Sequence, residues 1–215
     1  MNHHALDERH ELSRALRGTP PQAPTLCGDW TAALLTAHLV QRERSLTEAL
    51  GRLPVQRLRR RAERRLAELV RERPYQQLVA EFDDGPPRLS PWAFAPVRES
   101  VNLLEYVIHH EDVRRAIPDV APRKLPIGRQ RAIWQRLRLG APLTMRSVPV
   151  GVRLVWSGHG EILARRARHD AAQVTVTGDP VELALVAFGR QRVAHVDYDG
   201  TAEDVDVVRG ARIAI

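Results

Sequence analysis

Cysteine is almost missing from this 215-residue chain, with Cys27 the only one. An internal disulfide and any multi-cysteine metal site are thereby excluded. Lysine is as scarce. Lys124 stands alone, so arginine supplies 32 of the 33 basic residues, and the formal net charge is +7. That charge can attract nucleic acid, but phosphate-binding surfaces commonly use both basic types, and usage this one-sided fits a genomic codon bias better than a binding footprint. Aromatic residues make up 5% of the chain, and none interleaves with the Arg-rich run described below, which argues against a stacking platform for single strands. No stretch approaches the roughly 18 apolar residues that span a bilayer. The opening residues, Met1 to Arg9, lack the apolar core of a secretory signal. The chain is therefore expected to be cytoplasmic, with no membrane contact. What is present is 43% hydrophobic and 27% charged, enough for a buried core in one large domain or two small ones.

The texture changes near Pro149. Before it the apolar periodicity is helical and long. Leu6 to Leu16 reads as a helix stopped by Gly18 and Pro20-Pro21. Asp29 is placed to cap a second, from Thr31 to Leu50, closed by Gly51. Pro54 opens a third, Val55 to Arg73, and Pro74 kinks or restarts it. A further strong helix runs from Val97 to Ala116, and another candidate from Gly128 to Leu139. These predict an antiparallel four-helix bundle over residues 1–146. After Pro149, Val150 to Trp156 alternates as a strand, Ser157 to Gly160 turns, and Glu161 to Ala167 returns as its hairpin partner. Gln173 to Thr177 is another strand. Asp179-Pro180-Val181-Glu182 starts a helix with an N-cap, a proline at N1 and an acid at N3. With Arg192 to Tyr198 and Val205 to Arg209, residues 147–215 predict a small α+β domain, and the chain as a whole an α+β fold.

The helix beginning at Val97 carries charge where none is expected. Val97, Val101, Leu104 and Ile108 define its apolar face, and Glu105 and His109 fall on that face. Four residues along a helix differ by only about 40° in direction, so the carboxyl and imidazole point together toward the core. An unpartnered buried carboxylate costs several kcal/mol. A salt bridge, a polar network or a metal ion must answer it, and Arg114 and Arg115 lie on other faces. In the second helix His38 follows Leu34 by four residues, between Leu35 and Leu39, so it too sits on an apolar face. Two inward imidazoles and a carboxylate form a three-ligand set with room for water or substrate. Zinc is the default ion, and Fe²⁺, Ni²⁺ or Mn²⁺ suits a similar set. The plainer reading of the same residues is a hydrogen-bonded Glu–His pair at i, i+4 beside a structural histidine.

Two segments carry a family resemblance. Pro24-Thr25-Leu26-Cys27-Gly28-Asp29-Trp30-Thr31, followed by Ala37-His38-Leu39, resembles the N-terminal signature of mycothiol-dependent maleylpyruvate isomerases, within the wider DinB-like metal-binding bundles. Asn102 to Ala116, with Glu105, His109, His110, Glu111 and Asp112, resembles the second signature, in a form similar to an actinobacterial metal-binding subgroup. The resemblance implies that His38, Glu105 and His109 bind a divalent metal, usually zinc. The stretch from Gly178-Asp179-Pro180 to Phe188-Gly189-Arg190 is similar to the family's small sterol-carrier-like α/β domain, and implies Arg190 as a substrate or thiol contact. It further implies a metal-dependent enzyme, an isomerase or S-transferase, that uses a low-molecular-weight thiol such as mycothiol on a small electrophilic substrate. No particular residue is singled out as catalytic.

Around these residues, Asp112 is placed to orient His109 or to pair with Arg115 or Arg42. His110 is about 100° round the helix and faces away. Cys27 precedes the second helix and Trp30 anchors its entry. The run Arg57 to Arg65 interleaves with Glu63, Glu68 and Glu72 and carries an apolar stripe of Leu58, Leu66 and Leu69, which fits one solvated helix. A non-catalytic, metal-stabilised module contacting nucleic acid through that run is the alternative reading.

Overall fold

The computed structural model describes residues 3–44, 56–87, 102–167 and 172–213. It is an α+β protein that divides into two compact units, Met1–Val120 and Ala121–Ile215.

The first unit is helical: α1 (His4–Arg17), α2 (Ala32–Arg44), α3 (Gln56–Glu72), α4 (Tyr75–Asp84) and α5 (Leu103–Arg114). Helix α1 packs against α4 and α5, and α2 against α3 and α4. Leu66 and Leu69 of α3 bury their apolar edge against Ala37 and Leu78, with Trp30, Leu34 and Val70 around them. The break between α3 and α4 falls at Pro74, which takes the N-cap position of α4. The expected N-cap of α2 was Asp29, but Thr31 holds that place: its Oγ1 accepts the Leu34 amide at 3.4 Å. Two residues nearer the helix, Thr31 also closes the preceding loop by a bridge to Pro24. The expected far end of α2 at Leu50, the Gly51 stop, Pro54 and the helix start at Val97 lie outside the described residues.

Helix α5 is buried almost all round, as a central helix must be. Leu103, Tyr106, Val107 and Ile108 are buried, and so are His109, His110, Glu111 and Asp112. Each buried charge has a partner. Glu111 takes Arg114 at 2.9 Å and Arg115 at 2.6 Å, which accounts for those two arginines, and His110 Nδ1 lies 2.8 Å from Glu8 Oε1.

The second unit begins earlier than residue 147. Its first element is α6 (Ile127–Thr144), followed by β1 (Gly151–Trp156), β2 (Gly160–Arg165), β3 (Gln173–Thr177), α7 (Pro180–Ala187), β4 (Asp197–Asp199) and α8 (Ala202–Gly210). The sheet order is β2-β1-β3-β4. Strand β1 pairs antiparallel with β2 and parallel with β3, and β3 pairs antiparallel with β4. Helix α6 packs on α7 and β2, with the Trp134 and Trp156 rings edge to face at 6.0 Å. Within this unit it packs on the sheet, with Ile133, Leu137 and Ala141 buried. At the start of α7, Asp179 and Pro180 occupy the expected positions, but Asp179 makes no side-chain cap. Glu182 accepts the His195 amide at 2.8 Å instead, so the acid at N3 ties a following loop to the helix.

Candidate metal centre

Helices α2 and α5 bring the three singled-out side chains to one place. His38 Nε2 lies 3.4 Å from Glu105 Oε1, and His109 Nε2 lies 3.3 Å from the same oxygen. One ligand atom from each residue fits within 4.8 Å of the other two. The two imidazole rings meet edge to face at 5.5 Å. The site is deep without being sealed: the side chains of His38, Glu105 and His109 are 20%, 12% and 11% exposed.

His109 is fixed from behind. Its Nδ1 lies 3.0 Å from Asp112 Oδ2, and the Asp112 side chain is fully buried. Asp112 therefore orients the imidazole and leaves Nε2 facing Glu105 and His38. This is the arrangement by which a carboxylate sets the tautomer of a ligating histidine. The loop before α2 returns to the same spot. The Leu26 amide donates to the Asp112 carbonyl at 3.1 Å. The Cys27 thiol donates to Asp112 Oδ2 at 2.9 Å, with Sγ 3.6 Å from His109 Nδ1. Cys27 thus stands behind the histidine, in a second possible ligand group with His109 and Asp112. Trp30 packs its ring 5.1 Å from that of His38. His110 faces away from the triad, toward Glu8 and Glu11.

Arg42 is a partner at the site that the sequence did not point to in this role. Its Nε lies 3.3 Å from Glu105 Oε1, and its Nη1 donates to Asn102 Oδ1 at 2.7 Å. The available signals were its position four residues after His38, on the same face of α2, and that of Asn102 three before Glu105.

The electrostatics follow from these contacts. Burial pushes the His38 imidazole below its usual value, against the pull of Glu105. Burial alone would raise the Glu105 carboxyl, but Arg42 and the two imidazoles outweigh it and hold it well below the carboxylate range. Burial also opposes charge on His109, yet Asp112, Cys27 and Glu105 together raise it well above an ordinary histidine. These shifts favour an ionised carboxyl at Glu105, a protonated imidazole at His109 and a neutral imidazole at His38. Two nitrogens and one carboxylate oxygen are the donor types of a three-ligand zinc site that keeps a position open.

Arg190 lies in the second unit, just after α7. Its Nη1 donates to the Phe188 carbonyl at 2.6 Å. Of the Arg57 to Arg65 run, Arg64 and Arg65 are described as exposed on α3; the side chains before residue 63 lie outside the description. No helix is long and apolar enough to cross a membrane among the described residues.

Residues 3–114 match the family of mycothiol maleylpyruvate isomerase N-terminal domains. No curated protein sequence matches the chain. Among solved structures it is similar to the crystal structure of the mycothiol-dependent maleylpyruvate isomerase, at 15% identity and a TM-score of 0.50, over 91% of this chain and 90% of that one. At that identity the likeness is one of fold. Because the match of residues 3–114 takes in His38, Glu105 and His109 and covers more than half of the chain, the protein belongs to the mycothiol maleylpyruvate isomerase N-terminal domain family.

Proposed function

We propose that this protein binds one divalent cation, zinc by default, through His38 Nε2, Glu105 and His109 Nε2, and that it uses a low-molecular-weight thiol, mycothiol or a close relative, to isomerise or S-transfer to a small electrophile. The observation that carries the reading is the convergence of two imidazole nitrogens on one carboxylate oxygen, at 3.4 and 3.3 Å, with the His38 side chain 20% exposed. Within it we read the helical unit as a DinB-like antiparallel four-helix bundle and the second unit as sterol-carrier-like.

When bound, the cation supplies Lewis acidity and lowers the pKa of a coordinated thiol. The chain's own residues do the rest. Asp112 holds the Nδ1 proton of His109 and so keeps the Nε2 lone pair aimed at the common point. Glu105, kept ionised by Arg42, supplies the negative charge. His38, neutral by burial, offers its lone pair without first giving up a proton. In the isomerase reaction the thiol adds across the double bond of an enoyl oxo-acid, forming a carbon–sulfur bond while its proton goes to the substrate. Rotation about the resulting single bond and elimination of the same thiol give the trans product. Arg190, in the second unit, is the proposed substrate or thiol contact, since a planar guanidinium suits a carboxylate.

A second reading takes the same side chains as a closed ion-pair network, and the Arg42–Glu105 contact favours it. The non-catalytic module contacting nucleic acid is not favoured by the family membership. The test is turnover. Zinc-loaded protein given mycothiol and maleylpyruvate is expected to convert the cis olefinic proton signals to trans in a proton NMR time course. Protein stripped of metal and His38→Ala are expected not to. Conversion unaffected by either change would overturn the proposal, and so would zinc-loaded protein inert toward this pair and toward other activated electrophiles.

A further inference from the structure

We infer that the second unit carries a binding site of its own for a small organic carboxylate: a cavity lined by Ala194, Val196 and the Tyr198 ring, with the guanidiniums of Arg192 and Arg209 at its walls. The inference does not rest on the metal reading, and Arg190 is not among the residues that line the cavity. The space is about 300 Å³, at the small end for a ligand site. Arg192 comes from the single 3-10 turn Gln191–Val193, and Arg209 from the last turn of α8. The buried Gln191 ties the two together. Its Nε2 donates to the carbonyls of Val208 at 3.3 Å and Ala211 at 3.0 Å, so the basic walls keep a fixed relation.

The lining is cationic and apolar, with no acid in it. Tyr198 stands on β4, and Asp197 and Asp199 beside it take the opposite direction along the strand. Neither guanidinium pairs with an acid among the described residues. The Tyr198 hydroxyl is buried and makes no hydrogen bond of acceptable geometry among the described residues, a costly state that a ligand oxygen would relieve. Burial raises this phenol above its usual value against the pull of Arg209, so it remains a donor. The Arg209 guanidinium lies over the same ring, 4.7 Å from its centre, which sets a positive charge beside that donor. A planar guanidinium matches a carboxylate with two parallel N–H bonds. The apolar lining gives a bare inorganic anion nothing to bury, whereas hydrocarbon attached to a carboxylate gains by entering it.

Benzoate is the probe, titrated into the full chain with a chelator present, so that a cation in the helical unit plays no part. Saturable binding with a Kd on the order of 1 mM or tighter is expected. Benzamide, of the same shape without the charge, should bind roughly tenfold more weakly or worse, and so should inorganic phosphate, which lacks the apolar body. Arg192→Gln and Arg209→Gln should each weaken benzoate roughly tenfold, and Tyr198→Phe roughly threefold, with circular dichroism unchanged. In the wild type, nuclear Overhauser effects should link the benzoate ring protons to the methyl groups of Ala194 and Val196, a readout that decides even where a variant does not fold. No saturable binding, equal binding of benzamide or phosphate, wild-type affinity in both arginine variants, or Overhauser contacts elsewhere would each overturn the inference while leaving the metal reading untouched.

Discussion

Zinc binding should expel about one proton per ion at pH 7. The number comes from the three proposed ligands. Glu105 is held well below the ordinary carboxylate range by Arg42 and the imidazoles, so it has no proton to lose. Burial lowers His38, so it is already neutral. His109 is raised well above a free histidine by Asp112, Cys27 and Glu105, so it carries a proton on each ring nitrogen. The ion requires the Nε2 lone pair, and the Nδ1 proton remains on the Asp112 contact at 3.0 Å. One proton therefore leaves, and it leaves from His109. Since ligand protonation competes with metal, the apparent zinc Kd should weaken by about tenfold for each unit of pH lost below the His109 pKa. The dependence should steepen toward two protons only once His38 titrates as well. Calorimetric titration in two buffers of different ionisation enthalpy, repeated at several pH values, reads both the proton count and the slope. Release near zero at pH 7 would mean that His109 is neutral before the ion arrives, and release near two that His38 is charged; either result refutes the charge assignment.

Asp112→Asn should weaken zinc binding by about 10- to 100-fold, the usual cost of losing a carboxylate behind a ligating histidine, and should reduce the proton release at pH 7; competition against a zinc indicator checks it. Glu111→Ala should cost about 3–5 kcal/mol in urea unfolding, because the buried Arg115 loses its 2.6 Å partner. Gly85→Ala should destabilise the protein by about 1 kcal/mol or more, since residue 85 has φ +89° and an added Cβ would land on Arg9 Nη1; the drop in melting temperature measures it. Asp83 is held below its ordinary value: burial opposes this, but Arg17 and His10 prevail. Its contribution is present above the unfolded carboxylate pKa near 3.9 and is lost as pH falls through the lower folded value. Asp83→Asn should therefore cost less than about 1 kcal/mol at pH 7 for so exposed a pair, and progressively less as the pH falls through the folded value.

How much of this was legible in the sequence varied by element. Glu105 and His109 stood out because helical periodicity put them on a face of valines and leucines, and geometry alone then required a partner. His38 followed from the same logic on α2. Arg42 entered only as a candidate partner for Asp112, and its place beside Asn102 and Glu105 follows from the packing of α2 against α5. The side on which α6 packs is not legible because its stripe, Ile133, Leu137 and Ala141, is equally suited to a helix bundle or to covering a sheet. What decides is the apolar surface it meets, and Trp156 supplies that from β1. Asp29 and Thr31 are both good caps by type. The choice between them depends on a loop whose backbone returns through the Pro24–Thr31 bridge, which short-range patterns do not encode. Cys27 lies far from His109 in sequence, and its thiol reaches Asp112 only because that loop is tied to the end of α5.

The most direct check is the zinc content of purified protein after reconstitution and exhaustive dialysis, measured by plasma mass spectrometry beside His38→Ala. One zinc per chain in the wild type, with a large loss in the variant, is the expected result. Wild-type protein that retains no zinc, or a variant that keeps as much as the wild type, would mean that the two imidazoles and the carboxylate are an ion-pair network and nothing more.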